Sequence, residues 1–320
     1  MINLRYHIVS IVAVFLALAV GVVMGSTVIA RSELDLLQNR QDDLEGRNKD
    51  VSERNAALEK ENEALRKFQE EAEDPLLAGD LVGVPVVLVG VRGIEQGPAD
   101  TLRRQLANAG AQSQGTIWLT RKLRLDREGD VQSLATALGI AAGGAEATRI
   151  QALGVLAEVV GGTAVDSSPL AALRDAGFIE IEPPAASALT TSSTTTTTAG
   201  QPGVPVSVPG RRVVVMSGAG AEMSDNEVGI PLVRAFAGVQ PGVIAVEAGT
   251  DEPGGREVFV GPLRRDRQLT PGVSTVDDLE AFAGRAAVVV LLRQPVTVPA
   301  GHYGVGPQAE RELPAPVPEP

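Results

Sequence analysis

Residues 84–120 read VPVVLVGVRGIEQGPADTLRRQLANAGAQSQGTIWLT, and the order of their patterns decides the fold. The run 84–91 is apolar throughout, as in a strand buried on both faces of a sheet. Residues 99–109 carry a helical pattern that stops at Gly110, and 116–120 return to strand-like sequence. Strand, helix, glycine and strand in that order predict a βαβ unit with a parallel sheet. Further helices are expected at 134–138, 147–160 and 169–176, with a strand at 178–182. The pattern then returns: a strand at 212–217, a helix at 229–237 and a strand at 243–247. Gly83 and Gly210 open comparable stretches 127 residues apart. These two βαβ-type halves are expected to share one doubly wound, mostly parallel sheet in preference to forming two small domains. The last strand is placed at 286–293.

Between the halves lies TTSSTTTTT at 190–198, flanked by Pro183, Pro184, Pro202 and Pro205. No packed core can be built from such a tract, so it reads as a linker or surface insertion. Ser/Thr-rich, Pro-flanked tracts also accept O-linked sugars outside the cell, which favours an extracytoplasmic C-terminal part.

Towards the amino terminus, residues 8–30 form 23 consecutive uncharged positions. As a helix they would span about 34 Å, enough to cross the hydrocarbon of a bilayer. A cleaved signal peptide is the alternative, with Arg5 as its basic start and Val28-Ile29-Ala30 as a small-residue cleavage site; the apolar run is longer than such peptides use. Arg5 on one side and Arg31, Arg40, Arg47 and Lys49 on the other leave the positive-inside count undecided. Gly21 and Gly25 form a GxxxG pair on which two helix backbones can approach closely.

A heptad follows at once. Leu37, Leu44, Val51, Leu58, Leu65 and Ala72 fall seven apart, and three residues before each stand Leu34, Gln41, Asn48, Asn55, Asn62 and Gln69. With the first set at d and the second at a, this predicts a parallel coiled coil. Buried Asn at a favours two strands and fixes register. Arg40 with Glu45, Arg54 with Glu59 and Glu61 with Arg66 attract across a parallel pair, and Arg47 with Ser52 is neutral. A homodimer or higher homo-oligomer through the coil is the expected assembly. Asp74-Pro75 is expected to end the rod. The chain thus divides into a membrane anchor (1–31), a coiled coil (32–74), a first α/β half (76–182), a Thr/Pro-rich linker (183–210), a second half (211–300) and a Gly/Pro-rich tail (301–320).

Composition narrows the chemistry. Of the 320 residues 44% are hydrophobic and only 3% aromatic, so Val, Leu, Ala and Ile must make the core. The net charge of −12 argues against nucleic acid as a partner. Gly218-Ala219-Gly220 follows a strand and Glu247 ends the next, but Met223 stands where a dinucleotide fingerprint needs its third glycine. An ordinary strand-to-helix loop is the simpler reading. Asp251-Glu252 and Asp277-Asp278 read as solvated turns, with Asp277 in the first turn of a helix after Ser274. His7 and His302 are the only histidines, so no triad or histidine metal cluster can be assembled in the soluble part, and no catalytic residue or cofactor site is expected. For a soft metal the weak candidates are His302, Met216 and Met223. His302-Tyr303 is expected simply to cap the last strand.

Three stretches carry a resemblance. The opening MINLRYHIVSIVAVFLALAVGVVMGS, the segment Ser274-Thr275-Val276-Asp277-Asp278 and the ending Gly301-His302-Tyr303-Gly304-Val305-Gly306 resemble the mycobacterial-type copper transporter family, MctB. The resemblance implies an actinobacterial cell-envelope protein, pore-forming, exporting copper across the outer membrane, with the copper ion as a possible partner. The residues themselves suggest an alternative: a membrane-anchored coiled-coil scaffold without transport activity.

Overall fold

The computed structural model describes residues 4–127, 129–162, 166–184, 210–249 and 258–315. The Thr tract and Asp251-Glu252 lie outside the described residues. The chain forms two compact units, Met1–Phe68 and Gln69–Pro320.

The first unit is helical. Helix α1 (Leu4–Leu77) begins in it, and its stretch Tyr6–Gly25 is long and apolar enough to cross a membrane, with a mean hydropathy of 2.8. The heptad region continues the same helix. Its charges pair locally, Arg47 with Asp43 at 3.0 Å and Lys49 with Glu53 at 3.9 Å, while Asn62 donates to the Leu58 carbonyl at 3.0 Å. Leu44, Val51, Leu58 and Leu65 are exposed. The helix outlasts Asp74-Pro75 and stops at Leu77. A proline in the last turn forfeits one N–H bond there, and Asn108 donating to Asp74 at 2.9 Å helps hold that turn.

The second unit is an α/β domain. Its elements run β1 (Pro85–Val91), α2 (Gln96–Asn108), β2 (Gln112–Leu119), α3 (Asp130–Leu138), α4 (Ala145–Val160), α5 (Ser168–Asp175), β3 (Ile179–Glu182), β4 (Arg212–Gly218), α6 (Ile230–Val239), β5 (Val243–Ala248), α7 (Val260–Arg265), β6 (Val273–Val276), α8 (Phe282–Arg293) and β7 (His302–Tyr303). They build one seven-stranded sheet in the order β3-β2-β1-β4-β5-β6-β7. Every neighbouring pair is parallel except β2 and β3. Both halves therefore share one sheet, joined where β1 pairs with β4.

Alternation along the strands separates two cores. Val87, Val89, Val91, Val213 and Val215 face one side, where α3 to α7 pack. Val86, Leu88, Val214 and Met216 face the other, where α2, α8 and the end of α1 pack. Arg285 on α8 donates to Glu73 at the end of α1 at 2.7 Å, a largely buried ion pair that fastens the two helices together.

The structure corrects one element. Residues 286–293, expected as the last strand, lie in helix α8, whose Ala286 to Val289, Leu291 and Leu292 are all buried. An apolar run buried on all sides has the same sequence signature as a central strand, and packing decides between them. The terminal strands are instead β6 and the two-residue β7.

Gly90 sits in β1 where a Cβ would lie 2.6 Å from Cε3 of the buried Trp118. Gly90→Ala should cost about 1–3 kcal/mol through overpacking, read as a lowered urea midpoint with an unchanged slope.

Candidate functional site

In a doubly wound sheet ligands bind beyond the carboxyl ends of the strands, at the point where the strand order reverses. Here that point lies between β1 and β4, and two loops close it. The Glu222 N–H donates to the Arg92 carbonyl at 2.7 Å, and a Cβ on Gly93 would meet the backbone of Gly220 and Glu222. Gly93 holds φ +97, so glycine is required there both for conformation and for space. The crevice that would seat a dinucleotide is filled by backbone; Gly218 ends β4, and Ala219-Gly220 open the strand-to-helix loop.

Buried polar groups gather next to it. Asp225, in a π-helical turn before α6, accepts from the Ser217 hydroxyl at the end of β4. Glu247 on β5 is fully buried and accepts from the N–H groups of Val258, Phe259 and Val260 at 2.8, 3.3 and 2.9 Å. Burial pushes the Glu247 carboxyl up against the pull of those donors, and nearby Asp225 adds to the rise. Burial also raises Asp225. Glu247 thus anchors the start of α7.

The densest network lies at the opposite edge of the sheet and unites two of the sequence stretches noted above. Asp277, expected as a solvated turn or helix-start residue, is buried at the end of β6 and pairs with Arg264 of α7 at 2.8 Å. Its other contacts explain the glycines: it accepts from Val305 N–H at 2.7 Å and from Gly306 N–H at 3.2 Å. A Cβ on Gly304 (φ +125) would collide with the Asp277 carboxylate. Arg264 also donates to Thr275 Oγ1 at 2.8 Å and to the Tyr303 carbonyl at 2.7 Å. Neither partner of the pair is signalled by local pattern, because the burial comes from β7 closing over both. Arg264 had no signal in the sequence beyond its place in a basic stretch.

The three metal candidates are not brought together. Met216 is packed in the core on the α2/α8 side and Met223 in the core on the other side. His302 does not cap a preceding strand; it starts β7 itself, buried, with Nδ1 2.9 Å from Thr275 Oγ1. That hydroxyl already accepts from Arg264, and the only acceptor for its hydrogen among the described residues is Nδ1 of His302. The network therefore assigns the His302 proton to Nε2 and uses the Nδ1 lone pair internally. Burial and the Arg264 charge lower its affinity for a second proton. An imidazole in this state is a structural acceptor, and a metal would have to break the Thr275 bond or displace the Nε2 proton. Among the described residues no three His, Cys, Asp or Glu side chains stand close enough to hold an ion. The candidate oligomerisation residues stay on α1: Gly21 and Gly25 in its apolar part, with nothing within 4 Å of a Cβ at either, and Leu37, Leu44, Asn48, Val51, Asn55, Leu58, Asn62 and Leu65 in its heptad part.

Comparison with known proteins agrees with the sequence stretches. A family model described as copper transport outer membrane protein, MctB, matches residues 1–314. Proteins named copper transporter MctB from Mycobacterium tuberculosis and Mycobacterium bovis are each 28% identical to this chain, over 96% of it and 97% of the relative. That from Mycobacterium leprae is 30% identical over the same shares.

Removing the Asp277 carboxylate takes away the ion pair that buried Arg264 makes at 2.8 Å and the acceptor of the Val305 and Gly306 N–H groups. Asp277→Ala should destabilise the α/β unit by about 3–5 kcal/mol, measured by urea unfolding followed by Trp118 fluorescence.

Proposed function

The chain belongs to the MctB family, and on that premise we propose that it serves copper efflux and copper homeostasis as an envelope protein anchored by the apolar part of α1. The observation that carries this reading is the family match across residues 1–314, which takes in the apolar helix, the sheet and the Arg264–Asp277–His302 network alike. The one membrane-length apolar helix among the described residues cannot by itself enclose a path. Transport across an outer membrane therefore requires assembly of several chains or a partner. The dispersed Met216 and Met223 and the internally bonded His302 favour a route formed by assembly over an ion stored within the α/β unit. The C-terminal part is placed outside the cytoplasm on this reading, which suits the Ser/Thr tract. The filled crevice at the β1/β4 junction supports a non-enzymatic role.

Copper sensitivity is the direct test. Deleting the gene in its native host should raise cell-associated copper and lower the copper concentration that stops growth, and the intact gene should restore both. A deletion strain with unchanged copper content and tolerance overturns the efflux reading.

A second reading rests on the exposed stripe of Leu44, Val51, Leu58 and Leu65, which are 53–64% exposed on a single helix. Apolar residues at that spacing are covered when a second copy pairs in register, so the heptads would form a parallel two-stranded coil spacing envelope components. Its a layer of Asn48, Asn55 and Asn62 makes the pairing weak unless the membrane helices tether it. Changing those three residues to Ile in a peptide of residues 32–74 should raise its melting temperature and loosen its preference for two strands. A peptide that sediments as an unchanged monomeric helix after the substitutions refutes the heptad assignment.

A further inference from the structure

We propose that the α/β unit carries a dimer contact of its own, an exposed apolar patch centred on Leu76 and Val82, which packs against the same patch of a second copy where the heptads end. This rests on the parallel two-stranded coil described above and extends that pairing into the α/β unit. Leu76 and Val82 are the two most exposed large apolar side chains of the unit among the described residues, at 64% and 71%. Single exposed apolar residues are common on any protein surface, but these two stand on one short segment. Leu76 lies in the last turn of α1. Val82 follows through turns closed by the Asp80 N–H on the Leu77 carbonyl at 3.3 Å and the Val82 N–H on the Gly79 carbonyl at 3.4 Å. The fold uses Leu77 and Leu81 of this segment in the core on the α2/α8 side and leaves Pro75, Leu76, Ala78, Gly79, Val82 and Gly83 exposed. Asp80 is the only charged residue between Pro75 and Gly83, and it pairs with Arg293 at 3.2 Å.

The register names the occupant. Counted on from Asn48, Asn55, Asn62 and Gln69, the next a position is Leu76. In a parallel pair in register each a residue faces its own copy, so Leu76 meets Leu76. It is the first apolar a residue since Leu34 and closes a wet seam with a dry layer at the end next to the sheet. Glu73 and Leu77, which engage the unit's own α8 and core, lie roughly a quarter turn round the helix from Leu76. A second copy on Leu76 therefore does not compete with the packing of α1 on its own sheet. Charge selects a second copy too. Arg40 with Glu45, Arg54 with Glu59 and Glu61 with Arg66 attract between identical chains, while the net charge of −12 repels two copies overall. The uncharged patch is where they can touch. With coil and patch both paired, the two α/β units of a dimer are held side by side and do not turn independently.

The chain has no cysteine, so single cysteines report proximity without background. The full chain in a zwitterionic detergent is made with Leu58→Cys, Leu76→Cys, Val82→Cys or Ile150→Cys and treated with diamide or with a short bis-maleimide. Leu58→Cys reports the coil, and Val82→Cys reports the patch because it lies beyond α1. Ile150 is the comparison, exposed on α4, which covers the other side of the sheet. Leu58→Cys and Leu76→Cys should give disulfide-linked dimers, and the bis-maleimide should join Val82→Cys at least tenfold more than Ile150→Cys. Leu76→Lys should leave the urea midpoint of the α/β unit unchanged, since that side chain is exposed in a single copy, while weakening the dimer tenfold or more by sedimentation. A chain that links through Leu58→Cys, but no more through Val82→Cys than through Ile150→Cys, keeps the coil and overturns the patch. Linkage at no position overturns both together.

Discussion

Parallel strands of Val and Leu present apolar side chains on both faces, and both faces must be covered. Most of this domain follows from that requirement. Helices α3 to α7 cover one side, and α2, α8 and the end of α1 cover the other, so even a helix that begins in a separate unit is recruited by its last turns. The same requirement explains α8. With Trp118, Leu88, Met216 and Val246 to cover, a short run of Ala, Val and Leu is worth more as a helix lying across the strands than as an eighth strand beside them.

Two-sided burial also makes polar groups near the strand ends expensive unless they are paired. The domain meets that cost with closed networks. Glu247 is held by three backbone N–H groups at the start of α7, and Asp277 by Arg264 and the loop after β7. These networks explain a sequence motif that might otherwise look like a ligand site. The glycines around His302 admit the backbone to the Asp277 carboxylate, and His302 itself completes the chain Arg264–Thr275–His302.

Family membership and residue chemistry address different questions. The match to MctB spans the described helix and sheet and attaches the chain to copper transport as a family. The described residues show how the α/β unit is stabilised, and their polar groups are spent largely on that task. Under the proposed function a transport role would draw on what the chain assembles with; in a single copy Leu44, Val51, Leu58 and Leu65 of α1 are exposed.

The sequence by itself determined the parts whose cause is local. The apolar run at 8–30 is set by length and hydropathy, the heptad by spacing, and the βαβ order by strand-like and helical patterns that alternate around Gly110. The strands at 84–91, 212–217 and 243–247 were legible because each is a continuous apolar run of strand length. Tertiary structure decided the rest, for one recurring reason: burial is a property of what lies opposite in space. Residues 286–293 became helix because of the face they cover. Asp277 became a buried ion because β7, 25 residues further on, closes over it, and no pattern around Asp277-Asp278 records that. The antiparallel pairing of β3 and the closing of the β1/β4 crevice by Gly93 and Gly220 likewise arise between segments distant in sequence, where only the folded chain brings donor, acceptor and steric neighbour together.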